Sequence, residues 1–147
     1  MAGSDTTFID TGAFYGLADR GDRSHPQAVR VMQRLRGADL VSTNLVLAET
    51  WFLARSRRGR NAAMRLWQEI REGAARIEVI QPEDLARAWE IAQAFADQDF
   101  SLTDCTSFAF IERYGIHRAF SFDRDFAIFR YGPRRNRALE VLGLQER

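Results

Sequence analysis

Thr6-Thr7-Phe8-Ile9-Asp10-Thr11-Gly12 opens the chain with a β-branched and aromatic run that stops at a carboxylate, with a glycine two residues on. This pattern predicts a short strand feeding a turn and a helix. Outward from it, the same alternation repeats. Ser24, just before His25-Pro26, starts a helix whose stripe is Ala28, Val31, Met32 and Leu35, ending near Gly37. Asp39 to Ser42 reads as a second strand, and Thr43 caps a helix running to about Ser56. A further helix from about Asn61 to Glu72 turns Ala63, Leu66, Trp67 and Ile70 inward and stops at Gly73. Arg76 to Ile80 alternates as a third strand. Pro82 opens a helix whose expected buried face is Leu85, Trp89, Ala92 and Phe95 or Ala96. Ser101 caps a helix from Leu102 to Tyr114, ended by Gly115. His117 to Phe122 is a fourth strand, Arg124 to Phe129 a short helix, and Leu139 to Leu142 a last strand. Strands alternating with helices predict an α/β fold, a three-layer sandwich around a mostly parallel sheet.

The bulk numbers agree with one packed unit. A chain of 147 residues, 46% hydrophobic with 11 Phe and 3 Trp, is expected to form a single domain over 1–147. One cysteine, Cys105, excludes an internal disulfide and a cysteine-based zinc site. The stretch Met1 to Asp5 is polar and unlike a signal peptide, and no apolar run approaches a bilayer span. A cytoplasmic protein is the expectation. All 21 basic residues are arginine. They cluster at Arg55, Arg57, Arg58 and Arg60, and again at Arg130, Arg134, Arg135 and Arg137. Such patches on a nearly neutral chain suit a phosphate backbone, although a bias towards Arg codons also explains the absence of lysine.

Four acids stand out. Ligand crevices of open α/β sheets lie beyond the carboxyl ends of the strands, where Asp10 and Asp123 fall. Each has an alternative reading as a helix N-cap. Glu49 shares its helical stripe with Leu45, Val46, Phe52 and Leu53, and Asp104 shares one with Phe108 and Ile111. A carboxylate on an apolar face needs a replacement for lost water, and a buried arginine would be one. Four such acids brought together would repel, and a divalent cation relieves that conflict. Oxygen ligands favour Mg²⁺ or Mn²⁺. His25 reads as an exposed helix-start residue and His117 as a strand-edge residue. Cys105 lies about 100° round the helix from Asp104 and reads as core.

Taken together, Phe8-Ile9-Asp10-Thr11-Gly12-Ala13-Phe14, Ser42 to Glu49, Ser101-Leu102-Thr103-Asp104 and Ser121-Phe122-Asp123-Arg124-Asp125-Phe126 resemble the four acidic motifs of PIN-domain ribonucleases. The likeness is nearest to the VapC-type toxins of bacterial toxin–antitoxin pairs, and it spans nearly the whole chain in order. It implies a parallel sheet between helices and Mg²⁺- or Mn²⁺-dependent endonuclease action on RNA. It also implies a homodimer and a VapB-type antitoxin as partner. Asp10, Glu49, Asp104 and Asp123 take the family's acidic places, with Asp125 as an extra member. Thr11, Thr103 and Ser107 are supporting hydroxyls around them. On this reading Asp10 and Asp104 hold the principal ion and Asp123 and Glu49 complete its shell. Arg55, Arg57, Arg58, Arg60, Arg124, Arg130, Arg134 and Arg135 are the candidate RNA contacts. Trp51-Phe52-Leu53 and Phe14-Tyr15 supply apolar surface for the partners.

Rival readings remain beside this one. An aspartyl phosphatase would want Asp-x-Asp after the first strand, and both it and a phospho-acceptor receiver would want a lysine, which the chain lacks. A PIN-domain nuclease that processes RNA without being a toxin, or a catalytically silent PIN-like binding domain, shares the same motifs.

Overall fold

The computed structural model describes residues 2–3 and 5–144. Met1 and Ser4, from the polar start, and residues 145–147 lie outside it. The elements follow as β1 (Thr7–Ile9), α1 (Thr11–Ala18), α2 (His25–Arg34), β2 (Leu40–Thr43), α3 (Asn44–Arg58) and α4 (Arg60–Glu69), with a wider helical turn over Ile70–Ala74. Then come β3 (Arg76–Glu78), α5 (Pro82–Ala94), α6 (Leu102–Tyr114), β4 (Arg118–Ser121), α7 (Asp125–Ile128), β5 (Arg130–Tyr131), β6 (Arg137–Ala138) and β7 (Glu140–Gly143). Among the described residues no helix is long and apolar enough to cross a membrane.

Five strands form one parallel sheet in the order β3-β2-β1-β4-β7, the central layer of a three-layer α/β/α sandwich. All three residues of β1 and the last three of β4 are buried, as expected for strands covered on both faces. From β1 the chain builds outward through β2 and β3 on one side, then returns to place β4 and β7 on the other. Between β1 and β4 the order reverses, and such a switch point opens a crevice at the carboxyl ends of the two strands. Asp10 directly follows β1, and Asp123 lies two residues past the end of β4.

Aromatic packing holds the helix that brings a third acid to the crevice. In α6 every residue from Asp104 to Ile111 is buried. Phe108 stacks on Phe129 at 4.2 Å and meets Phe126 edge-on at 4.9 Å. Pairs of this kind add about 0.5–1.5 kcal/mol each beyond area burial. They tie α6 to the segment carrying Asp123 and Asp125, and Asp104 sits one helical turn before Phe108 on the same face.

Two helical faces differ from expectation. On α5 the buried residues are Asp84, Ala88 and Ile91, whereas Leu85 is 48% and Trp89 68% exposed. Asp84 turns the helix inward because Arg113 on α6 grips it twice, Nε to Oδ1 at 2.7 Å and Nη2 to Oδ2 at 3.0 Å. Its Oδ2 also accepts the Gln81 N–H, closing a capping box. On α3 the core face is Val46, Thr50 and Ala54, which leaves Phe52 65% exposed and Glu49 half-buried at the margin. Trp67, expected inward, is partly exposed. The two-stranded β5–β6 ribbon around Gly132-Pro133 was not expected at all. His25 is half-buried, its Nδ1 2.8 Å from the Gly16 carbonyl oxygen, and is not an exposed helix start.

Candidate active site

Asp104, Asp123 and Asp125 each bring a carboxylate oxygen to within 4.8 Å of the other two. Asp104 is positioned by the first turn of α6: Ser101 Oγ accepts its N–H at 3.0 Å, and its Oδ2 accepts the Ser101 N–H at 3.2 Å. Capping uses only part of its acceptor capacity. Asp123 is exposed, and its Oδ1 accepts the Asp125 N–H at 2.9 Å, which starts α7 and carries Asp125 back to the cluster. The N-cap of α7 is Arg124, without a side-chain cap, so Asp123 braces the turn before the helix and does not cap it. Asp10 lies beside the three. It occupies the N-cap position of α1 but makes no capping bond across the first turn, so capping does not explain it. Its Oδ2 instead accepts the Ser121 hydroxyl at 2.9 Å.

Burial pushes the Asp10 carboxyl up to about 7, and the charges of Asp123 and Glu49 add to the rise. Asp104 is likewise pushed to about 7, first by burial and then by Asp10, Asp123 and Asp125. Asp125 also rises, through burial and the neighbouring Asp123 and Asp99. Like charges gathered where water is scarce behave this way. No arginine is paired with Asp10 or Asp104 among the bonds and ion pairs of the described residues, so the buried-pair alternative fails for both. That arrangement is found elsewhere, at Asp84.

Two of the expected supporting hydroxyls, Thr11 Oγ1 and Ser107 Oγ, are buried without a hydrogen-bond partner. Buried orphan hydroxyls beside crowded acids leave donors and acceptors for a hydrated ion. Thr103 is half-buried, and its carbonyl serves Thr106 Oγ1. Glu49 is near enough to raise Asp10, yet it stands outside the three-acid group. The converging set is thus Asp104, Asp123 and Asp125, with Asp10 alongside and Glu49 at the margin. Cys105 is core, as expected, and burial with Asp104 and Asp125 nearby pushes its thiol up, away from a nucleophilic thiolate.

Among the arginines, Arg124 stands between two of the acids in sequence and is exposed, as are Arg55, Arg57, Arg58, Arg60, Arg134 and Arg135. Arg58 is held by Asp19 at 2.9 Å and Arg57 lies 3.7 Å from Asp22. Arg130 departs from expectation: its Nη1 donates to the carbonyls of Ala127, Ile128 and Phe129, so it closes the end of α7. Ser121, quoted in the fourth motif, was not read as a site residue, because its bond to Asp10 depends on the pairing of β1 with β4.

The chain matches the family model described as PIN domain over residues 7–130. It is 32% identical over 120 residues to the 23S rRNA-specific endonuclease VapC20 of Mycobacterium tuberculosis, covering 82% of this chain and 91% of that one. The crystal structure of the same relative, described as a Sarcin-Ricin loop cleaving toxin, superposes with a TM-score of 0.78 at 30% identity, over 83% of this chain and 93% of its own. VapBC2 of Rickettsia felis, solved bound to a DNA fragment from its promoter, gives a TM-score of 0.64 at 9% identity over 92% and 96% of the two chains, a likeness of fold alone. With the acidic crevice, the sheet order and these matches in hand, the chain belongs to the PIN domain family.

Proposed function

We propose that this chain is a divalent-metal-dependent endoribonuclease and the toxin of a VapBC-type pair. The carrying observation is the crowding of Asp10, Asp104, Asp123 and Asp125 at the sheet's switch point, with Asp10 and Asp104 both raised to about 7. Evolution of a site that unfavourable in isolation is understandable when a cation completes it. Asp104, Asp123 and Asp125 would hold Mg²⁺ or Mn²⁺, with Asp10 beside them and the free hydroxyls of Thr11 and Ser107 supporting the shell. When bound, the cation supplies Lewis-acid chemistry to the phosphodiester and activates a water.

The chain's own groups do the rest. Glu49, at the margin of the site, orients the attacking water and takes up its proton. The water oxygen forms the new bond to phosphorus as the bond to the leaving oxygen breaks, and that oxygen takes a proton from solvent to leave as a hydroxyl. Exposed Arg124 sits where it would grip a flanking phosphate, and the other exposed arginines steer the RNA backbone. By extension from the VapC20 relative, the substrate is ribosomal RNA and the target a stem-loop of the large-subunit RNA. A VapB-type antitoxin and a second copy of this chain are the protein partners, and the exposed Phe52, Leu85 and Trp89 are apolar surface for them.

Incubation of the purified chain with ribosomes and Mg²⁺, with RNA ends mapped, tests this reading. One defined cut in large-subunit RNA, abolished by EDTA and restored by excess Mg²⁺, is expected. Absence of cleavage of any RNA with Mg²⁺ or Mn²⁺, or cleavage indifferent to EDTA, would overturn it.

A further inference from the structure

We infer that Ser121 is a positioning residue, a hydroxyl stitch that fixes the Asp10 carboxylate against the segment carrying Asp123 and so sets the affinity of the site for its divalent ion. The inference rests on the metal-site reading above. Two bonds join the two strand ends across the switch point, and a third ties Ser121 to the Asp123 backbone. The Asp10 N–H donates to the Phe120 carbonyl at 3.0 Å, which fixes the backbone. The Ser121 hydroxyl donates to Asp10 Oδ2 at 2.9 Å, and the Asp123 N–H donates to Ser121 Oγ at 3.0 Å. A serine hydroxyl has one proton. With its oxygen accepting from Asp123, that proton is directed to Oδ2 of Asp10, which pins the orientation of the carboxylate beside the other acids.

The geometry around Ser121 is built to hold it. Ser121 is fully buried at the end of β4, in register with Gly143 of β7. Gly143 has φ +103°, and a Cβ there would lie 2.5 Å from the Ser121 carbonyl oxygen. The β7 position opposite Ser121 is thus open only to glycine. The Phe122 ring also lies 3.2 Å from where that Cβ would stand. The Ser121 backbone is thus closely packed, and its hydroxyl is held by its two hydrogen bonds. A carboxylate oriented in advance spends less of the binding free energy on ordering, and loss of such an outer partner typically weakens a metal site roughly 10–100-fold.

Direct Mn²⁺ binding, by calorimetry and by electron paramagnetic resonance of free Mn²⁺, reads this without RNA. Threonine and valine at position 121 have the same shape and differ in the hydroxyl, so the pair cancels any cost of packing. Ser121→Thr is expected to retain most of the Mn²⁺ affinity, and Ser121→Val and Ser121→Ala to lose roughly 10–100-fold. In an Asp10→Ala background the Ser121→Ala loss should vanish, because the hydroxyl then has no side-chain acceptor to hold. Equal Mn²⁺ affinity in Ser121→Ala and the unaltered chain overturns the inference, as does a full Ser121→Ala loss on top of Asp10→Ala. Failure of the unaltered chain to bind Mn²⁺ overturns the metal reading and this inference together, and cleavage assays then report on the reading alone.

Discussion

Asp104→Asn is expected to lower the rate of RNA cleavage by about 10²–10³ or more, while making the metal-free protein harder to unfold at pH 8. Both effects come from the same carboxylate. Its loss removes a ligand from the converging group of Asp104, Asp123 and Asp125. Asparagine keeps the side-chain oxygen that accepts the Ser101 N–H, so the start of α6 is preserved. The sign of the stability change follows from the raised carboxyl. Burial, then Asp10, Asp123 and Asp125, lift Asp104 from 3.8 to about 7 in the folded chain. A group raised on folding contributes stability that is full below its unfolded value near 3.8 and is lost as pH climbs through about 7. At pH 8 the folded chain holds this carboxylate ionised at a cost on the order of 2–4 kcal/mol, which asparagine does not incur. In EDTA at pH 8 the variant should melt several degrees higher, and the gap should narrow as pH falls towards 4. Melting curves that coincide at pH 8, or a variant that cuts RNA at the unaltered rate, would refute the assignment.

Arg113→Ala should cost the fold roughly 3–5 kcal/mol, the largest single stability loss expected outside the aromatic core. Asp84 is 1% exposed, and the Arg113 guanidinium meets both of its oxygens. Truncation of the arginine strands a carboxylate that the Gln81 N–H alone cannot satisfy. Burial raises the Asp84 carboxyl, but the bonds from Arg113 and Gln81 outweigh it and hold it below the usual range. Its stabilising effect is present above the unfolded value and fades as pH falls through the lowered one, so acid should erode the stability of the unaltered chain and spare Arg113→Ala. Replacement of both partners by apolar residues of similar size should recover much of the loss. Urea denaturation of the three proteins measures this, and a single-variant loss no larger than that of an exposed ion pair, below about 1 kcal/mol, would contradict it.

These residues also show what was legible in the chain. Strand ends at Asp10 and Asp123 and the helix start at Asp104 were readable, because each is a local event: an apolar run stops, a cap begins, a period of 3.6 continues. The face of α5 was not. Leu85 and Trp89 have helical spacing and apolar character, the same signal a buried stripe gives, while the true orientation depends on Asp84 meeting an arginine 29 residues away. The burial of Glu49 was overread for a related reason. Its neighbours Leu45, Phe52 and Leu53 are apolar, yet α3 turns Val46, Thr50 and Ala54 to the core and leaves Phe52 outside. Ser121 escaped notice because its meaning arises only when β1 and β4 lie side by side, 111 residues apart in sequence.

The account turns on whether the crowded carboxylates are relieved by a divalent ion, and thermal unfolding of the metal-free chain at pH 8 during Mn²⁺ titration asks this most directly. The melting temperature is expected to rise by several degrees and saturate, since a ligand bound only by the folded state stabilises it, with the rise absent in Asp104→Asn. Superimposable curves with and without Mn²⁺, or an equal rise in Asp104→Asn, would contradict it.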